Sequence, residues 1–204
     1  MSESKEALVE EFRRESILKA TRHVIAQQGL AGASMQAIAG EAGVAKGTLY
    51  LYFRDRDDLL EQTKSHVFDE LLARLEAVLD EPRPFREGLR NLVRTKLAFF
   101  DANQEFLRVY MALRHGGNPA EARQRRREAP QYARYVERLA AYFEAAVARG
   151  EIPSLEARHV ALFFVEGVSA ILMRRLEDRG PQGNDDLDWI VDLLLDGLCP
   201  RRDS

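Results

Sequence analysis

A glycine at position 43, set between two short segments with apolar stripes, constrains this 204-residue chain more than any other feature. The segment before it starts at Ser34, which suits a helix N-cap. Its apolar residues then recur at helical spacing: Met35, Ile38, Ala39 and Ala42. Glycine directly after such a helix favours the left-handed conformation that ends it. In the segment after Gly43, Leu49 and Phe53 lie four residues apart and are expected to face inward. Residues 34–60 therefore predict two short helices joined by a tight turn, followed by the start of a third.

The outer face of the second short helix carries an unusual set of residues: Lys46, Gly47, Thr48, Tyr50 and Tyr52. Lysine can neutralise a phosphate, glycine lets a helix backbone approach a surface closely, and hydroxyls can donate to phosphate oxygens or base edges. The pattern predicts a helix-turn-helix whose second helix lies in the major groove of DNA. On spacing alone an ordinary helical hairpin remains open, because it can also place glycine between amphipathic helices and tyrosines in a core.

At these residues the chain resembles the TetR family of bacterial transcriptional regulators, whose N-terminal signature it follows without a gap. The matching residues are Ile17, Leu18, Ala20, Gly29, Ser34, Ile38, Ala39, Ala42, Gly43, Val44, Lys46, Gly47, Leu49, Tyr50, Tyr52, Phe53, Leu59 and Leu60. The resemblance covers about the first 60 residues. It implies an all-α fold of about nine helices. A three-helix helix-turn-helix domain, residues 1–55, would precede a larger helical ligand-binding and dimerisation domain, residues 56–204.

The resemblance also implies which residues contact DNA. They are Ser34, Gln36, Ala45, Lys46, Gly47, Thr48, Tyr50, Tyr52 and Arg56. Ala45 departs from the family, which commonly has Ser or Thr just ahead of the lysine. Losing that hydroxyl should weaken the start of the helix by roughly 1 kcal/mol and puts one DNA contact in question. Arg56 stands where the family commonly has a phosphate-binding lysine, and its guanidinium should bind phosphate with a broader set of donors.

Charge supports this prediction locally and not globally. The net charge of the chain is −3, which does not indicate a nucleic-acid binder. Residues 13–56, however, contain seven cations and three anions, a local net charge of +4. Local charge is what attracts phosphate, although an ordinary solvated surface would have the same composition.

The remaining chain reads as helix throughout. Residues 1–8 are expected to be a frayed tail, followed by a first helix from about Glu10 to Gln28. Asp55 and Asp58 form a variant capping box that starts a helix of about 24 residues ending before Pro82. The helices beyond Pro84 form the second domain, and the last of them begins at Asn184.

Two functions are expected of the second domain. In the family such helices enclose a cavity for a small-molecule inducer, and the candidate lining residues are Phe68, Phe99, Phe100, Phe106, Tyr110, Met111, Tyr142, Phe143 and Phe163. The last two helices are expected to form a homodimer through Phe164, Val168, Ile171, Leu172, Trp189, Ile190, Leu193 and Leu194. For both sets the alternative is that the residues fill the core of a single chain, since core residues also recur at helical spacing.

Several classes of function are not supported. No run of about 18 apolar residues predicts a membrane span, the polar N-terminus does not read as a secretory signal, and the single Cys199 fits a reducing cytoplasm. No catalytic motif, metal-ligand spacing or cofactor fingerprint is present. The sequence therefore predicts a ligand-responsive regulator with three partners: an operator in double-stranded DNA, a second copy, and an inducer of unknown identity. A repressor is favoured over an activator, and a helical binding module that no longer binds DNA is the alternative.

Overall fold

The structure, a computed structural model, describes residues 2–114, 130–177 and 191–192. These residues form helices and loops, with no strand among them. Eight helices are described: α1 Ser2–Gly32, α2 Met35–Glu41, α3 Lys46–Tyr52, α4 Arg56–Asp80, α5 Phe85–Ala102, α6 Gln104–Arg114, α7 Pro130–Ala148 and α8 Ala157–Glu177. The all-α prediction is confirmed. The ninth predicted helix lies outside the described residues except for Val191 and Asp192, which are helical.

The first helix differs from its prediction at the N-terminus. Helix α1 begins at Ser2, so the tail expected over residues 1–8 is helical from residue 2 onward. The physical reason is composition, because Lys5, Glu6, Ala7 and Leu8 are strong helix formers with no glycine or proline among them. At its other end the prediction is confirmed, since Gly29 has a φ of +69° and interrupts the helical backbone.

The chain divides into two compact units. The first contains α1, α2, α3, α4 up to Glu70, and α6, whereas the second contains α4 from Leu71, α5, α7 and α8. The division into a DNA-binding domain, residues 1–55, and a ligand-binding and dimerisation domain, residues 56–204, remains a prediction. The core of the first unit includes five side chains that are at most 1% exposed: Ile17, Leu18, Ile38, Leu49 and Leu59. Each such side chain stabilises the fold by about 1.5–3 kcal/mol relative to exposure.

The second unit is built around aromatic residues of α5 and α7. Phe143 is fully buried and packs edge-on against Phe85, with ring centroids 5.2 Å apart. The Glu151 carboxylate accepts a hydrogen bond of 2.6 Å from the Phe85 backbone N–H at the start of α5. Buried Gly88 lies so close to Tyr142 that a Cβ atom at position 88 would be 1.9 Å from the tyrosine oxygen. The helices of this unit therefore meet without room for larger side chains at that point.

No helix in the described part of the chain is long and apolar enough to cross a membrane.

Candidate nucleic-acid interface

Helix α2 and the turn after it have the geometry expected from the sequence. The Ser34 hydroxyl caps α2 by accepting a hydrogen bond of 3.1 Å from the Ala37 N–H. Gly43 has a φ of +66°, in the left-handed region that glycine adopts without strain. The Val44 N–H then donates to the Ala39 carbonyl at 3.0 Å and closes the turn. These contacts fix where α3 begins.

Helix α3 buries one face and presents the other to solvent. Leu49 is fully buried, and Phe53 directly after the helix is 1% exposed. The nine residues predicted to contact DNA divide by exposure: Ser34, Gln36, Ala45, Lys46, Gly47 and Tyr50 are exposed, and Thr48, Tyr52 and Arg56 are partly exposed. Six of them follow one another along α3 and its N-cap. Their contacts with DNA remain a prediction, and the exposed face leaves them accessible to it.

Two residues of this face bear directly on DNA approach. Lys46 is exposed and has no ion-pair partner in the described ranges. A Cβ atom built on Gly47 would meet nothing within 4 Å, so this glycine is not required by packing within the chain. Its free surface is consistent with a need for close approach by something outside the chain.

The missing cap at the start of α3 is visible in the structure. Ala45 is the N-cap, and it makes no side-chain hydrogen bond. Its carbonyl still accepts from the Thr48 N–H at 2.9 Å, so the helix starts there nonetheless. The remaining N–H groups of the first turn are left for other acceptors, and phosphate oxygens are suitable ones.

Arg56 makes contacts within the chain that the sequence did not indicate. Its Nε donates to the Ala33 carbonyl at 2.8 Å, and its Nη2 donates to the Leu30 carbonyl. Leu30 lies in the last turn of α1, just after the interruption at Gly29, and Ala33 lies in the connection to α2. The first residue of α4 thus holds the end of α1 and the start of the connection to α2. Phosphate binding by Arg56 remains a prediction, and it would have to coexist with these two bonds or replace them.

The start of α4 is fixed by a reciprocal pair of caps, as predicted for Asp55 and Asp58. Asp55 Oδ1 accepts from the Asp58 N–H at 2.8 Å, and Asp58 Oδ2 accepts from the Arg54 N–H at 2.9 Å. The second bond reaches one residue before the N-cap, which makes this box a variant. Hydrogen bonds from the Gln62 side chain and from the Arg54 N–H lower the pKa of Asp58 to about 2.

Contacts from α1 hold the helix-turn-helix in place. His23 Nδ1 lies 2.5 Å from Glu41 Oε1 at the end of α2. Arg14 donates to the Gln62 side chain and lies over the Phe53 ring, with Cζ 5.8 Å from the centroid. These contacts join α1 to the end of α2, to the residue directly after α3, and to α4.

Ion pairing reduces the positive charge available on this unit. Four of the seven cations in residues 13–56 are paired: Lys19 with Glu15, Arg22 with Glu70, Arg54 with Asp58 and Arg56 with Asp57. Three cations of residues 13–56 have no ion pair in the part of the chain that the structure describes: Arg13, Arg14 and Lys46. Since Arg14 is bonded to Gln62, the cations most accessible to phosphate are Arg13 and Lys46.

One exposed residue of α3 was missed by sequence reasoning. Leu51 is 80% exposed and lies beside Tyr50. Helical geometry contained the signal, because a residue two positions after the inward Leu49 is rotated by about 200° and must face outward. An exposed leucine on this face is suited to apolar contact, for example with a thymine methyl group.

The candidate ligand residues are distributed over the two units. In the first unit Phe106 stacks on Tyr110 and Phe68 packs edge-on against the same ring, at centroid distances of 6.2 and 6.4 Å. In the second unit Phe99, Phe100 and Phe143 are buried, Tyr142 is half-buried, and Phe163 is 67% exposed. The side chain of Met111 lies outside the described residues. Of these nine, Tyr142 lines a cavity that the structure shows in the second unit.

The candidate dimer residues are also divided. Phe164, Val168 and Leu172 are at most 2% exposed within the single chain, so their side chains have little surface left for a partner. Ile171 is partly exposed on the same helix. Trp189, Ile190, Leu193 and Leu194 lie outside the described residues.

Comparison with known proteins assigns the helix-turn-helix. The family model "Bacterial regulatory proteins, tetR family" matches residues 17–63, the segment from the core of α1 into α4. An uncharacterised HTH-type transcriptional regulator of Haemophilus influenzae is 42% identical over 93 residues, covering 46% of this chain and 50% of the relative. Residues 17–63 are a TetR-family helix-turn-helix segment.

Solved structures extend the likeness beyond this segment to the whole fold. The fatty acid degradation regulator FadR from Bacillus halodurans superposes with a TM-score of 0.72 at 23% identity, covering 93% of this chain and 97% of that one. The transcriptional regulator FadR from Bacillus subtilis in complex with stearoyl-CoA gives 0.69 at 22% identity, covering 90% and 98%. At this identity the likeness shows the fold alone. The curated sequence relatives are matched over about half of their length.

Proposed function

We propose that this chain is a cytoplasmic, homodimeric transcriptional repressor of the TetR family that leaves a palindromic operator when a small-molecule inducer binds. The observation that carries the proposal is the outer face of α3. There Lys46, Gly47 and Tyr50 are exposed, and no carboxylate of the described chain pairs with the lysine. We assign no enzymatic activity, because the matched relatives are named as transcriptional regulators.

The size of α3 supports a dimer. A seven-residue helix reads only a few base pairs, so affinity and specificity require a second copy on a symmetric site. Helix α8 offers a surface for that copy, because Phe163, Gly167 and Ala170 share one face and Phe163 is 67% exposed. A large exposed apolar side chain beside small residues suits close packing of two helices. We therefore place the dimer surface on this face, with Ile171 at its edge.

Release by a small molecule is the second part of the proposal. The stearoyl-CoA complex of the Bacillus subtilis FadR supports ligand binding by a protein of this fold, and the inducer of this chain is unknown. To act as an inducer, a ligand must prefer the state that does not bind DNA by a few kcal/mol. Helix α4 contributes residues to both units and is a candidate element for transmitting the change.

The competing function is a helical binding module that has lost DNA binding. The uncapped N-terminus of α3 at Ala45 favours it, since a weaker start to the recognition helix would weaken any complex. The two functions differ in salt dependence. When binding depends on phosphate contacts, the logarithm of the operator binding constant falls linearly with the logarithm of salt concentration, with a slope of about −0.9 per neutralised phosphate.

The experiment that tests the proposal is selection of bound sequences from random duplex DNA, followed by titration of the selected sequence at two salt concentrations. A palindromic consensus with steep salt dependence is the expected result. Failure of the folded, dimeric protein to enrich any sequence would overturn the regulator in favour of the binding module. An activator would enrich the same kind of sequence, and a reporter gene placed behind it separates activation from repression.

A further inference from the structure

A cavity of about 660 Å³ lies at one end of the second unit. It is bounded by the end of α4, by the connection Glu81–Pro84, and by one face of α7. Its volume falls within the range of about 300–1,000 Å³ that is typical of small-molecule sites. Of the residues predicted to bind a ligand, Tyr142 is among those that line it, and its other lining residues were not expected from the sequence.

The floor of the cavity is apolar and is held rigidly. Ala141 and Ala145 lie one helical turn apart on the cavity face of α7, and their small side chains leave the space open. Between them the ring of Tyr142 stacks on Phe85, with centroids 5.5 Å apart and an interplanar angle of 25°. Pro82 and Pro84 line the facing connection and have no backbone N–H. The floor is therefore suited to a flat apolar or aromatic body.

Two arginines with unused donors lie at the cavity, Arg138 within α7 and Arg149 directly after its last residue. Their side chains are 42% and 48% exposed, and a separation of eleven positions corresponds to about 16 Å along the helix axis. Arg149 uses only its Nε, which donates to Glu151 Oε1, and Arg138 bonds Asp80 through Nη2. The Nη groups of Arg149 have no hydrogen-bond partner among the described residues. Guanidinium groups of this kind bind carboxylate, sulfonate or phosphate oxygens well.

The carboxylate nearest Arg149 is already engaged. Glu151 accepts from the Phe85 N–H through Oε2 and from Arg149 through Oε1. The hydrogen bond from Phe85 and the one from Arg149 hold the pKa of Glu151 below its usual value, so it is ionised and both its oxygens are occupied. The other two carboxylates at the cavity, Asp80 and Glu81, pair with Arg138 and Arg83. A ligand cation would compete with these arginines for the carboxylates, whereas a ligand anion meets the N–H donors of Arg149 that have no partner among the described residues.

We propose that this cavity binds a small organic anion with an apolar, aromatic-sized body. The anionic group meets the outward N–H groups of Arg149, and the body lies over Ala141, Ala145 and the Tyr142 ring. This inference names the ligand class and the site for the inducer. Only its regulatory consequence rests on the proposed function, since binding itself requires no DNA.

The test uses two fluorescent probes that share an aromatic body. 1-Anilinonaphthalene-8-sulfonate carries a sulfonate, and N-phenyl-1-naphthylamine does not. We expect the sulfonate to bind about tenfold more tightly to the wild-type chain, which corresponds to about 1.4 kcal/mol. Arg149→Gln should weaken sulfonate binding about tenfold and leave the uncharged probe unchanged. Ala145→Leu fills the exposed cavity face and should weaken both probes about tenfold or more.

The matched control is Arg158→Gln, which removes an exposed arginine that pairs with Glu137 outside the cavity. It should bind both probes like the wild type. Equal affinity for the two probes would overturn the anionic class, and unchanged sulfonate binding in Arg149→Gln and Ala145→Leu would overturn the site. Circular dichroism confirms that each variant is folded.

Operator release is measured separately by adding the sulfonate to the protein–operator complex. Release that Ala145→Leu abolishes would support the site as the inducer site. If the protein stays bound to the operator while the sulfonate occupies the cavity, the cavity is a ligand site and its regulatory role is contradicted. Absence of operator binding in the selection experiment would not affect the probe titrations.

Discussion

The exposed faces of α3 and α8 have similar shapes and opposite chemistry. Each is one side of a helix and includes a glycine where an added Cβ would meet nothing within 4 Å, Gly47 in α3 and Gly167 in α8. On α3 the glycine is flanked by Lys46 and Thr48, whereas the face of α8 presents the bare ring of Phe163. The first face offers donors to an anionic surface, and the second offers apolar area to another apolar surface.

The comparison shows that exposure alone does not identify a partner. A glycine that packing does not require indicates close approach, and the neighbouring groups decide what approaches. Donors without internal partners favour phosphate, since burying them against an apolar surface would leave them unsatisfied. An exposed aromatic ring favours a second protein surface, because DNA phosphates gain little from it. The predictions below test this division of roles.

The largest effect is expected from Phe163→Asp. A carboxylate in the centre of the proposed dimer surface cannot be buried without a partner, so the chain should become monomeric in light scattering after size exclusion. Operator affinity should fall by about 100-fold or more, because the two heads no longer bind together. Phe12→Asp is the matched control, since Phe12 is 75% exposed on α1. A dimer that survives Phe163→Asp and dissociates in the control would reverse the assignment.

The next effect concerns Arg56, which donates to the carbonyls of Leu30 at the end of α1 and Ala33 in the connection after it. Arg56→Lys keeps the charge and loses the paired bonds, so the free energy of unfolding in urea should fall by about 1.5–3 kcal/mol. Arg54→Lys, at a side chain that is 85% exposed, should change it little. If lysine at position 56 preserves both stability and operator affinity, phosphate binding is the better account of this residue.

Lys46→Ala should separate DNA binding from folding. We expect operator affinity to fall about tenfold and the salt slope to decrease by about 1, with the unfolding midpoint unchanged. The control is Lys19→Ala, which removes an exposed lysine of α1 that pairs with Glu15. Unchanged operator affinity in Lys46→Ala would place the recognition surface elsewhere.

Substitution of the two glycines compares the faces directly. Both lie inside helices, so Gly47→Ala and Gly167→Ala should each stabilise the fold by about 0.5–1 kcal/mol. Gly47→Ala should weaken operator binding severalfold with the dimer intact, and Gly167→Ala should weaken the dimer. If both variants gain stability while operator binding and dimerisation are unchanged, neither DNA at α3 nor a second chain at α8 needs close approach to the helix backbone.

The smallest effect is expected in acid. Because the pKa of Asp58 is lowered from 3.8 to about 2, its ionised form stabilises the folded state above about pH 4, and this contribution is lost as the pH falls towards 2. Asp58→Asn should remove that part of the pH dependence of the unfolding free energy. Asp57→Asn, at a side chain that is 91% exposed, is the control and should retain it. Identical acid profiles for Asp58→Asn and wild type would contradict the role of the cap.

Local signals in the sequence were sufficient for much of the first unit. Gly43 had to adopt a positive φ, Ser34 had to cap α2, and Leu49 with Phe53 had to face inward, and the structure shows all three. These features depend on a few adjacent residues, which sequence patterns capture well. The missing side-chain cap at Ala45 was also predicted correctly, because the alanine has no group that can accept.

What the sequence did not indicate depends on contacts between distant residues. Arg56 reads as a cation for phosphate, and its bonds to Leu30 and Ala33 appear only when the chain is folded. The aromatic residues read as one ligand-binding set, yet Phe68 and Phe143 belong to different units. Periodicity placed Phe163 and Phe164 on neighbouring faces without showing which one is buried.

The contact between Gly88 and Tyr142 has a consequence for how such chains diverge. A methyl group at position 88 would occupy the place of the tyrosine oxygen, so a change at either position restricts the other. Homologues that keep the tyrosine should keep the glycine, and those with a smaller residue at position 142 are free to carry alanine or serine at 88. The two positions should therefore covary, and the shape of the cavity floor should vary with them.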